Sequence, residues 1–372
     1  MMTSDVRGSN VVMVDVARVA GVSQKTVSRV VNQAAHVRPE VRERVLAAID
    51  QLGYRPNLAA RTLVTQRTHV IGVIAVGLPL YGPAHRVFSL EHGARRRGYE
   101  LALASLPDAS SASIRTAIDS LLARGVEGII LELPNPRIEV DEDTFRGVPI
   151  ASSVGRIPGV RLQAVVDDFQ SEMGRLATDY LLGLGHETVF HVAGPVEWDV
   201  SAQRRQGWSS ALAAAGRPEP PVLQGDWSAR SGYHLGRRLA RRSDVTAVFT
   251  ANDSQAMGLM RALTEAGRAV PGDVSVIGND DVPEAEFQIV PLTSLRIDQD
   301  AITDRVLSGL VALIEGRAPD PPGPPIAREL VIRSSCGPPP SPPSSTAPST
   351  TRPTVIHAPS VVSSWKEGSH VL

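Results

Sequence analysis

Two groups of residues in this 372-residue chain have types and spacing suited to chemistry, and both suit recognition. The first lies in VDVARVAGVSQKTVSRVVN, residues 14–32, where Gln24, Lys25, Ser28 and Arg29 share the outward face of a helical stretch. Gln24 can pair bidentately with adenine and Lys25 and Arg29 are cations, while Thr26, Ser28 and Asn32 can bind phosphate oxygens. That is the chemistry of a helix laid in a DNA major groove. The second group is Arg204, Trp227, Asn252 and Asp280. An indole stacks on the apolar face of a pyranose, a guanidinium forks to adjacent hydroxyls, and an amide and a carboxylate complete a set suited to a polyol. Alternatives stay open at this point: Trp227 as core packing, Asp253 or Asp281 as the inward carboxylate, and Arg204 or Arg205 as surface ion pairs.

The first group needs a small helical scaffold. Val16, Ala17, Val19 and Ala20 form an apolar stripe, Gly21 permits a sharp turn, and Ser23 can cap a second helix that turns Val27, Val30 and Val31 inward. A third helix over residues 38–52 starts near Pro39 and ends at Gly53, with Val41, Val45, Ala48, Ile49 and Leu52 on one face. A helical hairpin with a merely solvated face is the plainer reading, and charge argues against it. Residues 1–66 hold nine Lys and Arg against five Asp and Glu, so this part carries +4 and the remainder −5. After a stop at Tyr54-Arg55-Pro56, Asn57 can cap a short segment, LAARTLV, that is too short to be helical alone in water.

From His69 the pattern changes to short apolar runs, HVIGVIAV, YELALAS, VEGIILEL, VPIASS, TVFHVAG, TAVFT and VSVIG, separated by amphipathic stretches such as residues 110–124 and 169–185. This predicts an α/β fold of parallel sheets flanked by helices, in two lobes, with a ligand cleft beyond the carboxyl ends of the strands. Asn252 follows TAVFT and Asp280 follows VSVIG, which places both at that cleft.

The run from Asp15 through VSRVVNQAAHVR to YRPNLAARTL resembles the head and hinge of the lactose-repressor (LacI/GalR) family, on its lactose-repressor branch, and the similarity continues almost to residue 335. The resemblance implies a repressor that binds a palindromic operator in double-stranded DNA as a homodimer and is released by a small sugar, a galactoside among the candidates. A corepressor-dependent regulator is the alternative. It implies a periplasmic-binding-protein-like core behind a helix-turn-helix head. The head would span residues 12–56, a hinge helix 57–66 and the core 69–335. The near lobe would take 69–166 and 298–323, and the far lobe 167–297 and 324–335. It assigns DNA contacts to Ser23, Gln24, Lys25, Thr26, Ser28, Arg29, Asn32 and Asn57, with Leu63 as a minor-groove wedge. It assigns effector contacts to Leu80, Pro83, Arg204, Trp227, Asn252 and Asp280. Three departures stand out: Arg86 where an apolar residue is expected, Asn279 where an aromatic is common, and no carboxylate over residues 153–155.

Other classes fit less well. GLGHET, residues 183–188, closes a helix where a dinucleotide loop would open one, and adjacent acids such as Asp280-Asp281 diverge at a strand end, so no catalysis and no cofactor is expected. His186-Glu187 lacks the second histidine of a zinc protease helix, so no metal is expected. A non-DNA-binding sugar receptor would share the core and would need an export signal, which MMTSDVRGSN does not resemble. A cytoplasmic protein with no membrane segment is expected. Its one cysteine, Cys336, allows no internal disulfide, and the Pro/Ser/Thr-rich residues 336–372 are expected to be disordered. That tail has no leucine before Leu372, so a dimer is expected rather than a tetramer.

Overall fold

The computed structural model of the chain describes residues 11–31, 37–55, 67–140, 142–153, 155–165, 170–321 and 323–340. Its first part is three short helices: α1 (Met13–Ala20), α2 (Gln24–Val31) and α3 (Pro39–Leu52). Gly21 takes a left-handed φ of 63° to end α1, and the Ser23 hydroxyl accepts from the Thr26 amide at 3.1 Å to start α2. Val16, Val27, Val30, Val45 and Ala48 form the buried centre, closed by Tyr54. Val19 departs from the expected stripe and is 47% exposed, because three positions on from Val16 it falls on the far flank of an arc set by Val16, Ala17 and Ala20.

Two sheets follow. The first has the order β2-β1-β3-β4-β5 and is parallel throughout: β1 (Val70–Val76), β2 (Glu100–Leu106), β3 (Gly128–Glu132), β4 (Ile150–Ser152) and β5 (Gln163–Val165). The helices α4 (Tyr81–Arg96) and α5 (Ser111–Ala123) flank it. The second has the order β11-β10-β9-β8-β6-β7: β6 (Phe190–Ala193), β7 (Leu223–Gln224), β8 (Ala247–Thr250), β9 (Ser275–Asn279), β10 (Thr293–Ile297) and β11 (Arg328–Val331). Only β11 runs antiparallel, pairing Ser294 with Val331 and Ile297 with Arg328. The helices α6 (Gln170–Gly183), α7 (Asp199–Ala214), α8 (Ala229–Leu239) and α9 (Asp253–Glu265) surround this sheet.

In both sheets the strand order reverses at the first strand, between β1 and β3 and between β6 and β8, which leaves a crevice at their carboxyl ends. The buried runs Val70–Val76 and Gly128–Glu132 show why these strands sit centrally, with helices covering both faces. The last helix, α10 (Gln299–Ile314), follows a strand of the second sheet yet packs on α4 and on β3, β4 and β5 of the first. The next strand, β11, returns to the second sheet, so the chain crosses between the sheets on either side of α10.

The strands β5, β7, β10 and β11 have no counterpart among the apolar runs read from the sequence. They are short or lie towards sheet edges, and β10 buries Thr293 and Ser294, whose hydroxyls are satisfied internally. The sequence reading starts the tail at Cys336, whereas residues 335–337 close against β9. The Val276 amide donates to the Ser335 carbonyl at 2.9 Å, and Gly337 N donates to Ser275 Oγ at 3.0 Å. Burial raises the Cys336 thiol to about 11, so it stays a neutral packing group. Residues 341–372 lie outside the described residues.

Candidate effector cleft and DNA-reading helix

The crevices of the two sheets face one open cavity, where a small ligand would sit in a fold of this kind. Leu80, Pro83, Arg204, Trp227, Asn252 and Asp280 all line it, so the structure brings the six expected effector residues together. Tyr81, Gly82 and Arg86 also line it.

Trp227 anchors the second-sheet wall. It follows β7 with a left-handed φ of 72°, a costly backbone state for an aromatic residue. Asn252 holds it there: the Asn252 Nδ2 donates to the Trp227 carbonyl at 3.0 Å, while its Oδ1 accepts from the Gln255 amide at 2.9 Å and caps α9. The ring lies on Gly194, where a Cβ would meet indole carbon at 2.3 Å. Its Nε1 is buried and has no partner among the described residues.

Arg204 on α7 is 7% exposed, which rules out a surface ion pair. Its Nε donates to Gln170 Oε1 at 2.7 Å, a second nitrogen donates to the Ala251 carbonyl, and its guanidinium carbon lies 5.8 Å from the Trp227 ring centre. The Asp280 carboxylate stands 3.9 Å from Arg204 Nη2 and accepts from Asn279 Nδ2 at 2.8 Å. Burial pushes the Asp280 carboxyl above its ordinary pKa, opposed by the charge of Arg204, the Asn279 hydrogen bond and the charge of Arg86.

The adjacent acids diverge. Asp281 accepts from Arg296 Nε at 2.8 Å and Arg333 Nη1 at 2.7 Å, in a neighbouring groove. Asp253 is fully buried and accepts from Ser294 Oγ at 2.6 Å and the Val282 amide at 2.8 Å, which fixes the loop carrying Asp280. Burial and the charge of Asp280 raise its carboxyl to about 7.

Several cavity residues escaped the sequence reading: Val76, Glu132, Leu133, Gln170, Trp198, Val200 and Gln299. Glu132 had a signal, being a carboxylate that ends an otherwise apolar buried strand. Trp198 had none. It follows β6, its ring stands edge-on to Trp227 at 5.7 Å, and it packs against Gly77 of the other sheet's β1 loop, where a Cβ would meet it at 2.8 Å. Beside it Asn135 Nδ2 donates to the Glu197 carbonyl at 3.0 Å and the Asp199 amide to the Pro134 carbonyl at 2.8 Å, so the two walls touch at one rim.

On α2, Gln24, Lys25 and Arg29 are exposed, with Ser23 at its cap and Thr26 and Ser28 half-buried beside them. This is a helix with an apolar back and a cationic, hydrogen-bonding front, held by α1 and α3. Asn32, Asn57 and Leu63 lie outside the described residues. Among the described residues no group of His, Cys, Asp and Glu is arranged to hold a metal, and no helix is long and apolar enough to cross a membrane.

A helix-turn-helix head joined to a two-sheet ligand cleft defines a DNA-binding regulator. Residues 12–57 match the model of bacterial regulatory proteins of the lacI family, and residues 178–336 match that of a periplasmic binding protein-like domain. The chain is 33% identical over 316 residues to the lactose operon repressor of Escherichia coli K12, covering 83% of this chain and 86% of the repressor. It is 35% identical over 337 residues to the transcriptional regulator CelR of Thermobifida fusca, covering 86% and 96% respectively. The lac repressor dimer bound to operator and the anti-inducer ONPF superposes with a TM-score of 0.74 at 30% identity, covering 88% of this chain and all of that one. The CelR–cellobiose complex gives 0.63 at 31% identity, over 87% and 99%. The chain belongs to the lacI family and is a DNA-binding transcriptional repressor.

Proposed function

We propose that this repressor binds a palindromic operator as a homodimer and that a small sugar in the cleft releases it. The observation that carries the sugar is the convergence of Trp227, Arg204, Asn252 and Asp280 on one cavity. A stacking indole, a fork donor, an amide and a carboxylate match a ring with an apolar face and several hydroxyls. The solved relatives support this with a cellobiose complex and with operator-bound and ligand-bound lac repressor. In this reading Gln24, Lys25 and Arg29 read bases, and Ser23, Thr26, Ser28, Asn32 and Asn57 position the helix on the backbone. Leu63 wedges the minor groove.

The near lobe comprises residues 69–166 and 298–323 and the far lobe 167–297 and 324–335, with the hinge over 57–66. The protein is cytoplasmic and has no enzymatic activity. If the sugar favours one closure of the lobes and the operator another, the two ligands must oppose each other by one coupling free energy.

The test is fluorescence anisotropy of the full chain on an inverted repeat obtained by in vitro selection, with and without lactose, cellobiose and simple galactosides. Operator affinity should fall about 5- to 150-fold with an effective sugar. A rise would make the sugar a corepressor, and no preference for inverted repeats over bulk DNA would overturn the reading.

A further inference from the structure

The near-sheet wall of the cleft holds a second guanidinium–carboxylate pair. Arg86 on α4 lies 3.5 Å from Glu132 at the end of β3, with side chains 11% and 6% exposed, and both line the cavity. Ser153, at the end of β4, fixes their geometry: its hydroxyl accepts from Arg86 Nη1 at 2.6 Å and donates to Glu132 at 3.1 Å. On the opposite wall Arg204 and Asp280 form the matching pair, 3.9 Å apart. A buried ion pair is weak support for stability, since its desolvation commonly offsets its attraction. Two of them facing one cavity call for a ligand.

We infer that Arg86 and Glu132 form a hydroxyl-reading wall that restricts the effector to neutral saccharides and rejects sugar acids, an inference that rests on the sugar reading of the cleft. A guanidinium only donates and a carboxylate only accepts, whereas a hydroxyl does both, so each pair reads adjacent hydroxyls. Among the described residues, the acidic and basic side chains lining the cavity are Arg86, Arg204, Glu132 and Asp280, two of each sign. A neutral ligand keeps that balance. A carboxylate on the ligand leaves one negative charge in excess, in a site where water has been displaced and like charges repel strongly. The missing carboxylate near residue 153 is thus supplied one strand over, by Glu132, with Arg86 as its counter-ion.

The experiment is calorimetric titration of the full chain with methyl β-D-glucoside and methyl β-D-galactoside, each beside its uronide, in which a carboxylate replaces the C6 hydroxymethyl group. The neutral glycoside should bind at least about tenfold more tightly than its uronide, as expected for a desolvated like-charge encounter. Glu132→Gln should weaken the neutral glycoside about tenfold and narrow that ratio, and Arg86→Met should weaken it similarly and widen the ratio. The wild-type ratio needs no variant, and operator binding by each variant confirms its fold. Uronides that bind as well as the neutral glycosides, or neutral affinities unchanged in both variants, would overturn the inference while leaving a sugar effector intact. Binding of none of the four probes would overturn this inference, and the lactose and cellobiose arms of the operator assay decide the sugar reading separately.

Discussion

Asn252 fixes Trp227 by its backbone: one side-chain amide caps α9 at Gln255 and ties the Trp227 carbonyl in a left-handed turn, at 2.9 and 3.0 Å. The helix start and the stacking platform are therefore one mechanical unit. Asn252→Ala should cost about 1–2 kcal/mol of stability through the lost cap and the orphaned carbonyl, read by chemical denaturation. Effector affinity should fall in the same variant by about tenfold or more, because the indole loses its fixed orientation.

The ring's other support is Gly194. Gly194→Ala places a methyl group where indole carbon now lies, and the ring must move. Calorimetry should show sugar affinity reduced by about one to two orders of magnitude, an effect of about 1.4–3 kcal/mol, while operator binding without sugar stays as in the wild type. Equal loss of both would mean that Trp227 holds the fold and not the ligand.

The head and the cleft should separate cleanly by substitution. Arg29→Ala should weaken operator binding by about 1–3 kcal/mol and reduce its salt dependence or its sequence preference, with sugar affinity unchanged. Trp227→Ala should do the reverse, and anisotropy and calorimetry on the same preparations compare them.

Asp253 gives a pH signature. Its buried carboxyl binds a proton up to about pH 7, against 3.8 unfolded, so its contribution is fully present below pH 3.8 and is lost as pH rises through about 7. His191 slopes the other way: burial lowers it to about 4, so its contribution is lost as pH falls from 6.5 through about 4. The comparison to make is therefore Asp253→Asn against wild type. The variant's melting temperature should drop less, or rise, between pH 4 and pH 7, and a parallel pair of curves would contradict the assignment.

Much of this was legible in the sequence, for identifiable reasons. The turn at Gly21, the cap at Ser23 and the apolar period of α1 to α3 are local signals, and they emerged as read apart from Val19. Arg204, Trp227, Asn252 and Asp280 were legible because each sits on or beside a recognisable strand end or helix. The other wall was legible in part, through Leu80, Pro83 and the unexpected Arg86, and the pairing of Arg86 with Glu132 was not. Glu132 and Arg86 are 46 positions apart and meet only because β3 lies beside β1, and Trp198 reaches the cavity only across the gap between the sheets. Strand β10 was hidden by its buried Thr293 and Ser294, which look solvent-facing until their partners Arg333 and Asp253 are placed.

The most direct test of the coupling between cleft and operator runs in the less usual direction. Affinity of the full chain for an effective sugar is measured by titration with and without a saturating inverted-repeat operator. Linkage requires the operator to weaken sugar binding by the same factor by which the sugar weakens operator binding. A sugar affinity indifferent to DNA, alongside a sugar-sensitive operator affinity, would contradict the account.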